Sequence, residues 1–148
     1  MPTIHNTFGH DGCIVRIRLG LNAVQTMLRR RNGQVVPSPI EVDALIDSGA
    51  DISCVDPSVL VGLNPTVKTV IPTNVPAISG LGYSSQYIVD MTVLDPGGNP
   101  INNLSFRDST LTEINLNTIG IHALIGRDIL SRCVFTFNGP TNTFSLNY

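Results

Sequence analysis

Apolar and polar residues alternate with a period of two along much of the chain, the pattern of strands that bury one face. Val15, Ile17 and Leu19 alternate with Arg16 and Arg18, and Ile40, Val42, Ala44 and Ile46 alternate with Glu41 and Asp43. Further strand-like stretches run over 66–72, 75–79, 86–94, 101–107 and 111–117, with a turn at Asp95-Pro96-Gly97-Gly98-Asn99-Pro100. Ala123-Leu124-Ile125 is an apolar run too short for a helix and reads as a buried strand. Phe135 and Phe137, then Phe144, Leu146 and Tyr148, alternate on either side of a turn at 138–142, which predicts a terminal hairpin. Asn32-Gly33 tolerates positive φ and predicts a hairpin or long loop over 21–39, closed off by Pro37 and Pro39; a helix over Ala23 to Arg31 is the alternative. A short helix is predicted to open at Asp56-Pro57, where Asp can cap free N–H groups and Pro suits the first helical position, and to end near Gly62. These elements describe an all-β chain with one or two short helices, without internal repeats, folded as a barrel or sandwich.

Composition narrows this picture. With 148 residues, 42% of them hydrophobic, the chain can fill one core and is too short for two ordinary domains. One domain over 1–148 is predicted, with residues 1–11 as a loose N-terminal segment. Net charge is −2 and the only basic run, Arg29-Arg30-Arg31, suits a solvated hairpin tip, so no nucleic-acid partner is expected. No stretch approaches the roughly 20 apolar residues that span a bilayer, and no charged and apolar leader opens the chain. A soluble, cytoplasmic protein without a membrane partner is expected. Cys13, Cys54 and Cys133 are odd in number and form no C-x-x-C pair, which suits small buried side chains rather than a disulfide framework. His5, His10 and Cys13 fit no zinc spacing, so neither metal nor cofactor is expected.

The candidate chemistry lies in Ala44-Leu45-Ile46-Asp47-Ser48-Gly49-Ala50-Asp51, where an apolar strand delivers a carboxylate into a turn of small residues. Alone, this is an ordinary loop start. A second segment, Ala123-Leu124-Ile125-Gly126-Arg127-Asp128-Ile129-Leu130, changes its weight: an apolar strand runs through Gly into an Arg-Asp helix start. Together the two resemble the retropepsin family of aspartic peptidases, and the chain looks closer to cellular or bacterial members than to viral ones. Between them, Ile78-Ser79-Gly80-Leu81-Gly82 lies where the family's flap hairpin falls. The resemblance implies a closed retropepsin-like β-barrel with a flap, acting as an aspartic endopeptidase on a peptide or protein substrate.

Carried over by motif, the resemblance makes Asp47 half of a catalytic dyad, Ser48 the hydroxyl that ties two active-site loops together, and Gly49 the point of close backbone approach. Ala50 and Asp51, with Gly80, Leu81 and Gly82 at the flap tip, would contact substrate. Gly126, Arg127 and Asp128 would support the site, Arg127 through Asp51. Hydrolysis of this kind needs one carboxylate to accept a proton from water and a second to donate one. No second Asp-Ser/Thr-Gly turn exists in the chain, since Asp56-Pro57, Asp95-Pro96 and Asp108-Ser109-Thr110 all lack it. The dyad therefore implies a homodimer with Asp47 on its two-fold axis. Viral members interleave short C-terminal strands between subunits, whereas residues 133–148 are long enough for a hairpin of their own. The alternatives are a catalytically silent dimer of the same fold that binds protein, and an unrelated monomeric barrel with a Gly-rich lid.

Overall fold

A computed structural model of the chain describes residues 1–74 and 81–148. Its centre is a closed ring of six strands in the order β2 (Ile14–Gly20), β3 (Ile40–Ile46), β8 (Ala123–Ile125), β4 (Cys54–Val55), β7 (Leu104–Glu113) and β6 (Leu81–Val93). Pairing of β6 back onto β2 closes the ring, and β5 (Val67–Asn74) hangs on the free part of β6. The contacts β3–β8 and β4–β7 are parallel and the other ring contacts antiparallel. Closure follows from the two-residue period: Val15, Ile17 and Leu19 point inward and are buried, as are Ala44, Ile46, Met91, Val93, Phe106 and Ile125 around the ring. Each large side chain so buried contributes about 1.5–3 kcal/mol. The intervening charges of β2 and β3 face out and pair across the strands, Arg16 with Asp43 at 3.2 Å and Arg18 with Glu41 at 2.8 Å. A one-residue slip would send these charges inward, so the pattern specifies the register.

A second sheet is made by both ends of the chain. The predicted terminal hairpin forms as β9 (Val134–Asn138) and β10 (Thr143–Asn147). Its free edge is taken by β1 (Thr3–Thr7), which corrects the expectation of a loose segment over 1–11. Ile4 is fully buried in the same cluster as Phe144 and Leu146, and Phe8 stacks on Phe137 with ring centroids 4.4 Å apart. The terminus is held because β10 offers an unpaired backbone edge and Ile4 an apolar face.

Between β2 and β3 the chain forms α1 (Ala23–Arg31), not the hairpin or loop over 21–39. Asn22 caps it by accepting from the Gln25 N–H at 2.9 Å, and Asn32-Gly33 serves to end it, Gly33 at φ +67°. Arg29, Arg30 and Arg31 therefore lie in the last helical turn, where cations complement the helix dipole, rather than at a hairpin tip. The predicted helix at Asp56-Pro57 is α2 (Pro57–Leu63). With α3 (Arg127–Leu130) the described residues hold three short α-helices, besides single 3₁₀ turns at Pro100–Asn102 and Asn117–Ile119.

The stretches predicted at 101–107 and 111–117 are joined in one strand, β7, which spans only Leu104–Glu113, with a 3₁₀ turn at Pro100–Asn102 before it and 114–117 beyond it. Asp108, at φ +51°, takes up the irregularity as its N–H donates to the Asp90 carboxylate at 2.9 Å. What reads in sequence as a break is a bulge in a continuous ladder.

Candidate active site

The parallel pairing of Ala44, Leu45 and Ile46 with Ala123, Leu124 and Ile125 sets the ends of β3 and β8 side by side, so that Asp47 emerges beside Gly126. The Asp47 N–H donates to the Ile125 carbonyl at 2.9 Å, extending the ladder by one rung. The chain then turns sharply: the Gly49 N–H donates to Asp47 Oδ1 at 2.8 Å, and the Ala50 N–H to the Asp47 carbonyl at 3.2 Å. An Asp that accepts from the backbone two residues on is a self-made turn. Asp47 and Ala50 are half-buried, while Ser48 and Gly49 are exposed at the rim.

The second motif closes on the first from below. The Arg127 N–H donates to the Ala50 carbonyl at 2.9 Å, and the Arg127 guanidinium pairs with the Asp51 carboxylate. Both side chains are more than half exposed, so this pair orients the turn and adds little stability. At Gly126 the backbones almost touch: a Cβ there would lie 2.7 Å from the Ile52 carbonyl carbon and oxygen and 3.0 Å from the Ala50 oxygen. Only Gly permits this approach.

Asp128 does not join Arg127. Its carboxylate accepts from the Ser53 N–H at 3.0 Å, the Ser53 hydroxyl at 2.7 Å and the Ile129 N–H at 2.9 Å, while Ser53 Oγ accepts from the Gly126 N–H at 2.9 Å. Fully buried Ser53 thus bridges the two motifs, a role that sequence reading missed because one Ser in a loop carries no periodic signal.

Two further groups lie on and just beyond β4, the strand paired with β8. The Cys54 thiol is pushed up to about 11 by burial first, then by the negative charges of Asp128 and Asp47. Buried Asp56 does more than cap α2: one oxygen accepts from the Ser58 N–H and hydroxyl, the other from the N–H groups of Leu116 and Asn117 at 2.8 and 3.0 Å. Burial alone would raise this carboxyl, but the bonds from Ser58, Leu116 and Asn117 outweigh it and hold it below its ordinary value. Asp56 in this way fastens the loop before β8.

Alternate residues of β3 share a face, so Asp43 and Leu45 lie on the side opposite buried Ala44 and Ile46, in line toward Asp47. A groove of about 620 Å³ runs along that side, with Leu45, Ile119 and Ile121 as apolar walls and Asp11 at its rim.

Of the residues predicted at the flap tip, Leu81 and Gly82 already lie in the β5–β6 ladder, opposite Asn74 and Thr73. Gly80 and the predicted strand at 75–79 lie outside the described residues. Tyr87 bonds across the sheet to Glu113 at 2.7 Å, and Tyr83 is exposed. Among the described residues no group of three His, Cys, Asp or Glu could hold a metal ion.

No family model matches the chain, and no curated protein matches it in sequence. Among solved structures it is similar to a retropepsin-like aspartic protease from Rickettsia conorii, with a TM-score of 0.57 and 15% identity, over 99% of this chain and 90% of that one. The chain has a retropepsin-like fold.

Proposed function

We propose that the chain is one half of an aspartic endopeptidase, in which two copies bring their Asp47 carboxylates together around a water molecule. The observation that carries this reading is the Asp47-Ser48-Gly49-Ala50 turn, clamped by Ile125 and Arg127 at the end of a strand in a barrel of this fold.

Two carboxylates about 3 Å apart cannot both ionise cheaply, so one keeps its proton while the other acts as base. The ionised Asp47 takes a proton from water as its oxygen attacks the peptide carbonyl. The protonated Asp47 donates to the carbonyl oxygen, and the resulting diol collapses with proton transfer to the leaving amine. In this reading the Ser48 hydroxyl, exposed at the rim, ties its loop to the other copy's, and the Arg127–Asp51 pair steadies the turn against which substrate binds.

The test is cleavage of a peptide library from pH 3 to pH 7 by wild type and Asp47→Asn, with solution mass measured alongside. Cuts between apolar residues, stopped by a statine-type inhibitor and absent in Asp47→Asn, are expected from a protein that dimerises. A stable dimer that cuts nothing would favour a silent binding module of the same fold. A monomer that cuts nothing would refute the dyad.

A further inference from the structure

Helix α1 is inside out. Three polar side chains fasten it to the barrel: Asn22 Nδ2 donates to Asp108 at 2.8 Å, Gln25 Nε2 to the Ile88 carbonyl at 2.9 Å, and Arg29 to the Asn64 carbonyl at 2.6 Å. Gln25 also accepts from the Thr66 N–H at 3.1 Å. At 3.6 residues per turn, positions 22, 25 and 29 share one face, and 24, 27, 28 and 31 share the opposite one. That outer face carries Val24, Met27 and Leu28, which are 57%, 61% and 47% exposed, and no residue of the helix is buried. A surface helix ordinarily turns its apolar stripe to the core and its charges to water. Here the core-facing contacts are hydrogen bonds and the apolar stripe is bare.

Charge says what covers it. From Gly12 to Ile40 the sequence contains no Asp or Glu. Arg16 and Arg18 are matched by Asp43 and Glu41, whereas Arg30 and Arg31 enter none of the ion pairs among the described residues. Arg31 falls on the apolar face itself and Arg30 at its flank, whereas Asp90 and Asp108 line a hollow with Val24 at the helix start, so the unmatched positive charge lies at the C-terminal end of the apolar face. A protein partner must supply a groove fitted to the ridge, while the lipid interface yields to any convex shape. The geometry points to an anionic membrane surface as the partner, with Val24, Met27 and Leu28 seated among the acyl chains and Arg30 and Arg31 on the head groups. No helix among the described residues is long and apolar enough to cross a membrane, so this contact lies on the bilayer. The sequence expectation of no membrane partner rested on the missing span, a signature that a short interfacial ridge does not leave.

The chain contains no Trp, which makes Leu28→Trp a direct reporter, and Ile101→Trp, at another exposed site, its control. With phosphatidylcholine vesicles containing about a third phosphatidylserine, Leu28→Trp emission is expected to shift to the blue. Neutral phosphatidylcholine vesicles should leave it unmoved, and Ile101→Trp should respond to neither. Adding Arg30→Gln and Arg31→Gln to Leu28→Trp should raise the lipid needed for half the shift by roughly 25-fold, at about 5-fold per arginine. The proposal fails if Leu28→Trp does not shift, if it shifts equally with neutral vesicles or with the control, or if the arginine changes have no effect. It also fails if the shift grows with protein concentration in the absence of lipid, which would assign the face to a second copy.

Discussion

Replacing Gly126 by Ala adds one carbon at the point where the two motifs meet. Its φ is −96°, so the substitution brings no left-handed strain and tests space alone. The added Cβ would sit 2.7 Å from two backbone atoms of Ile52 and 3.0 Å from the Ala50 oxygen, where ordinary contact starts near 3.4 Å. Segment 50–52 or β8 must therefore move by about 0.7 Å, and neither can yield as a side chain would. One side is pinned by Ala50 to Arg127 and by Ser53 to Asp128, the other by Asp47 to Ile125. Overpacking of this kind costs about 1–3 kcal/mol, and three backbone contacts put it at the upper end. For a domain of this size that lowers Tm by about 6–12 °C. If the proposed activity is present, a shift approaching 1 Å beside Asp47 should cut kcat by about 100-fold. Thermal and urea unfolding of Gly126→Ala would be compared with Gly9→Ala, whose added Cβ meets nothing within 4 Å. A Gly126→Ala protein within about 0.5 kcal/mol of wild type, the scatter of neutral surface changes, would refute the close approach.

The other expectations concern the supports of the site. Asp56→Ala strands the buried N–H group of Leu116, loses the bond from Asn117 and uncaps α2, and should cost about 3 kcal/mol in urea unfolding. Since the Asp56 carboxyl is held below its ordinary value, its charge stabilises the fold above the unfolded value and stops doing so as pH falls through the folded one. The stability gap between wild type and Asp56→Asn should accordingly narrow below about pH 4, and a gap independent of pH would contradict the bonding described. With its thiol pushed up to about 11, Cys54 should resist thiol reagents at pH 8 in the folded protein and react on unfolding, which timed labelling with mass readout would show. Ile4→Ala should cost about 2–5 kcal/mol, whereas a loose terminus would tolerate it without loss.

The local patterns that sequence records are those a strand or turn satisfies by itself. The period of two marked β2, β3 and the terminal hairpin, because it states which face each strand must bury. Asp47-Ser48-Gly49 declared a turn through an acceptor and small residues, Ala123-Leu124-Ile125-Gly126 declared a buried strand leading to a point of close approach, and Asp56-Pro57 declared a helix start.

Partnership across the chain has no period, and only the tertiary structure decided it. Whether residues 3–7 hang loose depends on β10 having a free edge, as the pairing of Thr3 with Asn147, 144 residues later, shows. Ser53 became a bridge only when β8 brought Gly126 and Asp128 to it. Within the excursion over 21–39, helix α1 is held in place by the carbonyls of Ile88 and Asn64, which receive the Gln25 and Arg29 side chains. Each outcome turns on a donor, acceptor or edge supplied from a distant part of the chain, and a one-dimensional pattern carries no trace of where that partner will stand.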